Sequence, residues 1–224
     1  MFVSSEVNET INAYLERMLE LNKNINLTNI NDFDKARILH IEDSLYGLEF
    51  IDLNSDSKIL DLGSGCGFPG VALGIASNLD TTLLDSSTKK MRAVDKILDE
   101  LDLSSLIHTI SIRAEEYALE NHKFTYVVSR AVSTLPSILE LCTPLVDYGG
   151  KIILYKGDIS DDELIAGNSL TELFGLSIID DKRFYLSDGF SRRSLLVYMK
   201  ISEPRVKLPR RIGKAQKSPM KRIC

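Results

Sequence analysis

The sequence predicts an α/β fold, a mainly parallel twisted sheet with helices on both faces and a C-terminal antiparallel hairpin. From Lys58 onward, short apolar runs typical of buried strands alternate with segments whose apolar residues recur at helical spacing. This alternation indicates parallel strands, because each crossover between them needs a connection long enough to hold a helix. The last two strand-like runs are separated only by the polar turn SDGFS, and they therefore predict a hairpin.

Residues 1–57 are predicted to form a helical extension that precedes the sheet. A first helix begins after the start signal Ser4–Ser5, and its apolar face consists of Val7, Ile11, Tyr14, Leu15 and Met18. A second helix follows Asp32 and Asp34, with an apolar face of Ile38, Ile41, Leu45 and Leu48. We therefore predict three parts: the extension 1–57, a ligand-binding α/β domain over 58–200, and a basic tail over 201–224.

Five strands are predicted in the central domain, each from an apolar run that polar or turn residues bound. They are KILDLG, TTLLDS, LIHTISI, FTYVVSR and KIILYKG. Helices are predicted over FPGVALGIASN with Pro69 in its first turn, around 91–101, over 135–145, and over DDELIAGNSLTELFG. SIIDDKRFYL and RRSLLVYMK form the closing hairpin.

The glycine-rich turn after the first strand predicts the main ligand site, because ligands bind at the carboxyl ends of parallel strands. Gly63, Gly65 and Gly67 give G-x-G-x-G, whereas Gly65, Gly67 and Gly70 give G-x-G-x-x-G. The second spacing is typical of dinucleotides, whose pyrophosphate lies on a helix N-terminus. The first is the looser pattern of proteins that hold an adenosyl group without a phosphate.

The residues that open the following helix favour the adenosyl group. Pro69 has no N–H to offer a pyrophosphate, and the ring of Phe68 occupies the place that two phosphates would need. A sulfonium cofactor tolerates both residues. We therefore favour S-adenosyl-L-methionine. An NAD(P)-dependent oxidoreductase and a non-catalytic RNA-binding module stay as alternatives.

Residues at four successive strand ends predict the rest of this site. Asp61 lies beside the loop, where its carboxylate could face a cationic methionine moiety. Asp85 ends the second strand and is placed to accept from ribose hydroxyls of either cofactor. Ala114 and Glu115 follow the third strand, where an adenine edge would meet a backbone N–H and an acceptor. Arg130 ends the fourth strand.

The uneven distribution of charge predicts a local contact with a polyanion. Residues 201–224 hold eight basic residues and one acidic residue, a net charge of +7. The other 200 residues hold 19 basic and 31 acidic ones, a net charge of −12. The predicted RNA contacts of this tail are Arg210, Arg211, Lys214 and Lys217. We expect the tail to be mobile until it meets RNA. The alternative is a structural strap over the sheet, anchored by Val206, Leu208 and Ile212.

Further polar residues are candidates for an RNA-facing cleft. Lys156 follows the fifth strand, and Arg192 with Arg193 opens the last one, so all three are candidate RNA contacts. His40 and Asp43 either line the active cleft or only bond to one another on a helix face.

The cysteines and the apolar runs exclude several classes of protein. Cys66, Cys142 and Cys224 are odd in number, widely spaced and without a CxxC pair, so neither a zinc site nor a disulfide framework is predicted. No run approaches the roughly 20 apolar residues of a membrane span, and the N-terminus lacks the pattern of a signal peptide. We therefore expect a cytoplasmic protein without a metal.

Several fragments of the chain together carry a family resemblance. They are LDLGSGCGFPGVALGI, LLDSSTKKMRAVDKILDELDL, RAEEY, VVSRAVSTLPSILELCTPLV, GGKIILYKG, NINLTNI, HIEDSL and PRRIGKAQKSP. Together they resemble the RsmG (GidB) family of 16S rRNA methyltransferases. The resemblance implies a Rossmann-like class I methyltransferase fold and S-adenosyl-L-methionine as cofactor. It also implies methylation of N7 of a guanosine in the decoding-region (530) loop of 16S rRNA.

The resemblance also implies roles for individual residues. By that similarity Gly63, Phe68, Ala114, Glu115 and Arg130 are cofactor contacts, to which the glycine loop adds Gly65 and the strand-end pattern adds Asp85. Guanine N7 carries a lone pair and no proton, so we expect no general base and no catalytic residue in that sense. The implied partner is 16S rRNA or a precursor of the small ribosomal subunit, and a monomer is expected.

Overall fold

The computed structural model describes residues 3–53, 56–130 and 132–221. Within these ranges one seven-stranded sheet has the order β3-β2-β1-β4-β5-β7-β6. The strands are β1 Ile59–Leu62, β2 Thr81–Asp85, β3 Ile107–Ser111, β4 Phe124–Arg130, β5 Val146–Lys156, β6 Leu176–Tyr185 and β7 Arg192–Lys200. Strands β1 to β5 are parallel, whereas β7 lies antiparallel between β5 and β6. The predicted parallel sheet with a closing hairpin is confirmed.

The helices alternate with these strands as predicted, with differences in length. They are α1 Ser5–Ile25, α2 Phe33–Ala36, α3 Asp43–Leu45, α4 Gly70–Ser77, α5 Thr88–Glu100, α6 Ala114–Tyr117, α7 Leu135–Cys142, α8 Asp161–Asn168, α9 Thr171–Phe174 and α10 Lys214–Lys217. The single helix predicted over 161–175 is two helices, α8 and α9. Helix α7 stops at Cys142, before Pro144, which cannot donate to an interior helical bond.

The second predicted N-terminal helix is a continuous but irregular helical segment. Residues Arg37–Glu42 form π-helical turns between α2 and α3, and Tyr46–Phe50 form a 3₁₀ turn after α3. The wider turns change which side chains share a face, and π turns are frequent at functional sites. They carry His40 and lead directly into Asp43, and both side chains are buried.

Helices cover both faces of the sheet. Side chains alternate along β1: Leu60 and Leu62 pack in the cluster that contains α7, and Ile59 packs with Leu73 of α4 on the other face. Helix α1 joins α4 and α5 in a shared hydrophobic cluster through its predicted apolar face. The side chain of Ser4 caps α1 by accepting from the N–H of Val7 at 3.2 Å.

The C-terminal tail is packed onto the α7 face, so the expectation of a mobile segment is wrong for its described residues. Val206 and Leu208 pack against the hydrophobic cluster there, whereas the third predicted anchor, Ile212, is exposed. Ala215 is buried, and its carbonyl accepts from the hydroxyl of Ser137 at 2.8 Å. Apolar burial and hydrogen bonds offset the cost of ordering the segment. The tail is therefore a strap.

Three further expectations concern cysteines, membranes and metals. Cys66 and Cys142 are buried free thiols, and Cys224, like Arg222 of the tail, lies outside the described residues. In the described part of the chain no helix combines the length and the apolarity that crossing a membrane requires. The same ranges contain no cluster of three or more His, Cys, Asp or Glu side chains suited to a metal ion.

Candidate functional site

The glycine turn after β1 has the geometry that only glycine adopts freely. Gly63, Gly65 and Gly67 all have positive φ, at 77°, 57° and 94°. The N–H of Gly63 donates to the carbonyl of Leu84 at 2.7 Å, which ties the turn to β2. A Cβ on Gly65 would meet no heavy atom closer than 3.9 Å, so this position faces open space beside the backbone.

That open space is a pocket of about 280 Å³ at the carboxyl edge of the sheet. It is lined by Leu62, Gly63, Gly65, Leu84, Asp85, Ser86, Lys90, Ile112, Arg113, Ala114, Glu115, Arg130, Val132, Leu141 and Gln216. The ends of β1, β2, β3 and β4 all contribute, because parallel strands bring their carboxyl ends to one edge. Six of the seven residues proposed from the sequence as cofactor contacts therefore meet here. We call it the glycine-loop pocket.

Asp85 faces this pocket and also holds the glycine turn. One of its carboxylate oxygens accepts from the N–H of Gly65 at 3.1 Å, and the other accepts from the N–H of Ser87 at 2.8 Å. Each oxygen retains a lone pair for a further donor. Asp85 therefore fixes the loop and keeps free acceptor capacity at the pocket.

Phe68, the seventh proposed contact, lies behind the loop rather than on the pocket. Its ring is buried, stacks on His40 with 5.3 Å between ring centroids, and meets Tyr14 edge-on at 5.5 Å. The hydroxyl of Tyr14 donates to the carbonyl of Cys66 at 2.9 Å. An apolar ring gains more from the α1 core than from a polar pocket, so Phe68 packs the loop against α1.

Asp61 also differs from expectation. It is fully buried and does not face the pocket; one oxygen accepts from the N–H of Gly70 at 2.8 Å, at the start of α4. Its other oxygen has no partner among the described residues. Burial raises the pKa of this carboxyl to about 7, against which the bond from Gly70 acts. Asp61 therefore supports α4 from within the core.

The tail closes one side of the glycine-loop pocket. Glu115 is buried at the start of α6, and its carboxylate accepts from the N–H of Gly213 at 2.7 Å. Gln216 of α10 lines the pocket. Arg210 secures this arrangement through two bonds of 2.5 Å to the carboxylate of Glu140 on α7. Gln216 was missed from the sequence, since no local pattern indicates where a tail folds back.

Arg130 connects β4 to the N-terminal helical segment. Its guanidinium donates to the carboxylate of Asp43 at 3.1 Å, to the carbonyl of Leu39 at 3.0 Å and to a ring nitrogen of His40 at 3.1 Å. Arg193 approaches the same oxygen of Asp43 at 3.3 Å. His40 and Asp43 therefore do not simply bond to one another on a helix face. Together with Arg130 and Arg193 they form one cluster of polar and charged side chains.

His40 is uncharged in this cluster. Burial, and secondly the charge of Arg130, lower the pKa of His40 to about 3. Nδ1 accepts from the guanidinium, which has only donors, so the proton lies on Nε2 and can be donated to the hydroxyl of Thr28 at 3.3 Å. The ring is thus held in one tautomer at neutral pH.

A second pocket, of about 320 Å³, adjoins this cluster. It is lined by Ile30, Leu39, His40, Asp43, Arg130, Tyr155, Lys156, Gly157 and Arg193. We call it the cluster pocket. Arg130 lines both pockets, so a single side chain borders the two.

The residues proposed as RNA contacts are placed in three different ways. Lys156 and Arg193 line the cluster pocket, and both already form ion pairs. Lys156 pairs with Glu163 at 2.8 Å, and Arg193 pairs with Asp43 at 3.3 Å. Arg192 pairs with Asp158 at 3.0 Å at the surface. Arg210 is turned inward to Glu140, which removes it from the set available to RNA. The exposed ones in the tail are Arg211, Lys214 and Lys217.

Comparison with known protein families identifies the chain. The model of the family described as rRNA small subunit methyltransferase G matches residues 7–178. The chain belongs to this family. A ribosomal RNA small subunit methyltransferase G of Oenococcus oeni is 36% identical, with 93% of this chain and 87% of the relative covered. One of Fervidobacterium nodosum is 35% identical, covering 96% of this chain and the whole relative. The predicted enzyme class, an rRNA methyltransferase, is confirmed.

Solved structures of methyltransferases share the fold. Fibrillarin of Aeropyrum pernix, a structure with natively bound S-adenosyl-L-methionine, aligns with a TM-score of 0.54 at 14% identity over 70% of this chain and 73% of its own. Precorrin-6y C5,15-methyltransferase of Geobacter metallireducens aligns with a TM-score of 0.53 at 14% identity over 71% and 88%. The Rossmann-like class I methyltransferase fold expected of methyltransferase G is therefore confirmed, and the oxidoreductase alternative is not supported.

The glycine-loop pocket suits the cofactor of methyltransferase G. Gly65 leaves the space beside the backbone that a Cβ would fill. Asp85 and Ala114, which begins α6 shortly after β3, both line this pocket. Pro69, at the N-cap of α4, offers no N–H to a pyrophosphate. These features fit an adenosyl group that carries no phosphate.

Proposed function

We propose that this protein transfers the methyl group of S-adenosyl-L-methionine to N7 of a guanosine in the decoding-region (530) loop of 16S rRNA. The observation that carries the proposal is that Arg130 borders both the glycine-loop pocket and the cluster pocket. Two adjoining pockets allow a methyl donor and an acceptor base to lie side by side. Family membership supports rRNA as the substrate.

In this proposal the glycine-loop pocket holds the cofactor, which supplies an electrophilic methyl group when it is bound. Asp85 accepts from the ribose hydroxyls, and Gly63 with Gly65 allows close approach of the loop backbone. Ala114 and Glu115 lie where β3 ends and serve the adenine. Gln216 of the strap completes the wall, so the strap takes part in cofactor binding.

The cluster pocket then receives the target guanine. Asp43 is shared by the guanidinium groups of Arg130 and Arg193, and His40 is neutral, so these four groups carry one excess positive charge. Such a site attracts a nucleotide phosphate. Since N7 offers a lone pair without a proton, these side chains position the base and exclude water, and none acts as a general base.

Basic residues outside the pockets hold the rest of the RNA. Arg211, Lys214 and Lys217 are exposed on the strap, and Arg192 is exposed at the start of β7. Each phosphate contact would release counterions and make binding salt-dependent. We further propose that the protein acts as a monomer in the cytoplasm. The buried free thiols of Cys66 and Cys142 suit a reducing compartment.

Methyl transfer from radiolabelled S-adenosyl-L-methionine tests the proposal. Naked 16S rRNA and small-subunit particles lacking the modification are offered separately, because either could be the substrate. A synthetic loop fragment with 7-deazaguanosine at the target position has a carbon in place of N7. We expect labelling of the natural guanosine and none of the 7-deaza form. Equal labelling of both would show that another atom accepts the methyl group.

A further inference from the structure

The turn between β6 and β7 presents an aromatic ring to solvent. Phe190 is 76% exposed, the highest value among the large hydrophobic side chains exposed in the described part of the chain. A single exposed apolar residue is ordinary on a protein surface. The conformation of the turn and its position make this one informative.

The turn that carries Phe190 is held by its own polar groups. Asp188 accepts from the N–H of Phe190 at 3.1 Å, from the N–H of Ser191 at 2.8 Å and from the Ser191 hydroxyl at 2.5 Å. The preceding Leu186 is buried, and its N–H donates to the carbonyl of Ser191 at 3.0 Å. A turn bonded in this way resists the rearrangement that would bury the ring.

The turn is also fastened to the N-terminal helical segment. Ser187 donates to the carboxylate of Glu42 through its backbone N–H, at 2.7 Å, and through its hydroxyl. Glu42 precedes Asp43, which lines the cluster pocket. The turn therefore has a fixed position relative to that pocket.

The turn lies at the edge of the sheet where both pockets open. Lys156, at the carboxyl end of β5, pairs with Ser194 near the start of β7, so the turn that precedes β7 extends beyond the same edge. Arg192 and Arg193 follow Phe190, and Arg193 lines the cluster pocket. Proteins hold unpaired bases by combining exposed aromatic rings with nearby cations, and Phe190 with the two arginines that follow it provides both.

We propose that Phe190 stacks on an unpaired rRNA base that neighbours the target nucleotide. This inference rests on the proposed function, since it assigns a contact to the same RNA. The ring offers an apolar face to a base of any identity, and Arg192 and Arg193 offer charge to the adjoining phosphates. Asp158 pairs with Arg192 and Asp188 holds the turn, so part of the local charge is balanced. Stacking is therefore the main contact here.

The chain contains no tryptophan, so Phe190→Trp introduces a single indole whose fluorescence reports stacking directly. Tyr148→Trp is the matched control. Tyr148 is 72% exposed near the amino end of β5, whereas the turn with Phe190 lies beyond the carboxyl end of that strand. We expect an RNA fragment of the target loop to quench the indole of Phe190→Trp and to leave that of Tyr148→Trp unchanged. Equal quenching of both, or quenching of neither, would overturn the inference.

Phe190→Ala gives a second measurement on the full chain. We expect RNA affinity to fall about 5- to 150-fold, as when one base loses its stacking partner, with the melting temperature and the Kd for S-adenosyl-L-methionine unchanged. Tyr148→Ala should change none of these. A lower melting temperature in Phe190→Ala would show a structural role, and unchanged RNA affinity would show no role in RNA binding; either result overturns the inference.

Two comparisons separate this inference from its alternatives. If wild-type protein methylates no rRNA, the proposed function fails; if it does so and Phe190→Ala is equally active and equally tight, only the stacking fails. A defect of Phe190→Ala seen on small-subunit particles and absent on naked rRNA would mean that the ring contacts a ribosomal protein. That result would also overturn the stacking.

Discussion

The guanidinium of Arg130 and the carboxylate of Asp43 form a buried ion pair, with 3.1 Å between Nη1 and Oδ2. Arg130 ends β4 and Asp43 begins α3, so the pair joins the sheet to the N-terminal helical segment. The side chains are 14% and 2% exposed, and a buried carboxylate depends on its partners far more than a surface one. Arg130 is therefore both a border of the two pockets and a structural partner.

Replacing Arg130 by alanine tests these two roles. We expect Arg130→Ala to abolish most methyl transfer and to lower the free energy of unfolding by about 1.5–3 kcal/mol, because a charge-assisted bond to a buried group is removed. In Arg130→Ala the buried carboxylate of Asp43 keeps only Arg193 as an ion-pair partner, so adding Asp43→Asn should recover part of the stability but not the activity. Urea unfolding and initial rates measure the two effects. Recovery of both together would show that Arg130 acts only through the fold.

The glycine turn predicts a loss of binding without a loss of fold. Gly65→Val directs its side chain into the open space of the glycine-loop pocket, so we expect the Kd for S-adenosyl-L-methionine to rise at least tenfold by calorimetry. The control is Gly149→Val, since Gly149 also has a positive φ, at 76°, with nothing within 4 Å of its Cβ position. Both variants carry similar backbone strain, of about 1–2 kcal/mol. Equal affinities in the two would exclude Gly65 from the cofactor site.

The packed strap changes what a C-terminal truncation should do. Deletion after Glu203 removes Arg210, Gln216 and the buried Ala215. We expect the melting temperature and the cofactor affinity to fall together, because the strap covers part of the core and one wall of the pocket. Thermal unfolding and calorimetry are the measurements. Full cofactor affinity in the truncated protein would contradict a role of the strap in that site.

Point variants of the tail separate its structural and RNA-binding residues. Arg210→Ala should destabilise the protein, because it leaves the buried carboxylate of Glu140 without its partner. Lys214→Ala with Lys217→Ala should leave the melting temperature unchanged. The same double variant should bind RNA more weakly. The slope of log K against log salt concentration should become less steep by about 0.7 for each phosphate that the protein no longer neutralises. An unaltered salt slope would show that these two lysines are only solvated charge.

The buried carboxyl of Asp61 predicts a dependence of stability on pH. Its pKa rises from 3.8 to about 7 on folding, so between these values the unfolded chain releases a proton that the folded one keeps. The stability of the wild type should therefore fall relative to Asp61→Asn by about 1.4 kcal/mol per pH unit up to pH 7, and level off above it. Urea unfolding of both proteins from pH 5 to 8, without cofactor, measures this. Parallel curves would show that Asp61 keeps its ordinary pKa.

The sequence predicts the parts of this site that depend on strand order and little of what depends on side-chain direction. Asp85 and Ala114 meet because parallel strands end at one edge, and this follows from alternating strands and helices alone. Phe68 and Asp61 lie beside the glycine turn, as predicted, but their side chains face the core and not the pocket. Spacing within a loop does not tell whether a side chain faces a pocket or the core.

The remaining differences arise from contacts between distant segments. Nothing near Arg210 in the sequence indicates a partner, because Glu140 lies on α7, 70 residues before it. The π-helical turns of Arg37–Glu42 have no distinct apolar spacing, so a regular helix was expected there. In both places tertiary packing decides the conformation.

The bond from Tyr14 to the carbonyl of Cys66 has a consequence for how such a protein could be re-engineered. A Cβ on Gly67 would lie 2.3 Å from the same Tyr14 hydroxyl, so α1 fits closely against the glycine turn. Replacing the first 57 residues by another module would remove α1, and with it the helix that supports the glycine turn. A chimera would have to rebuild that contact before it could bind a methyl donor, which makes the N-terminal helices a poor point for modular exchange.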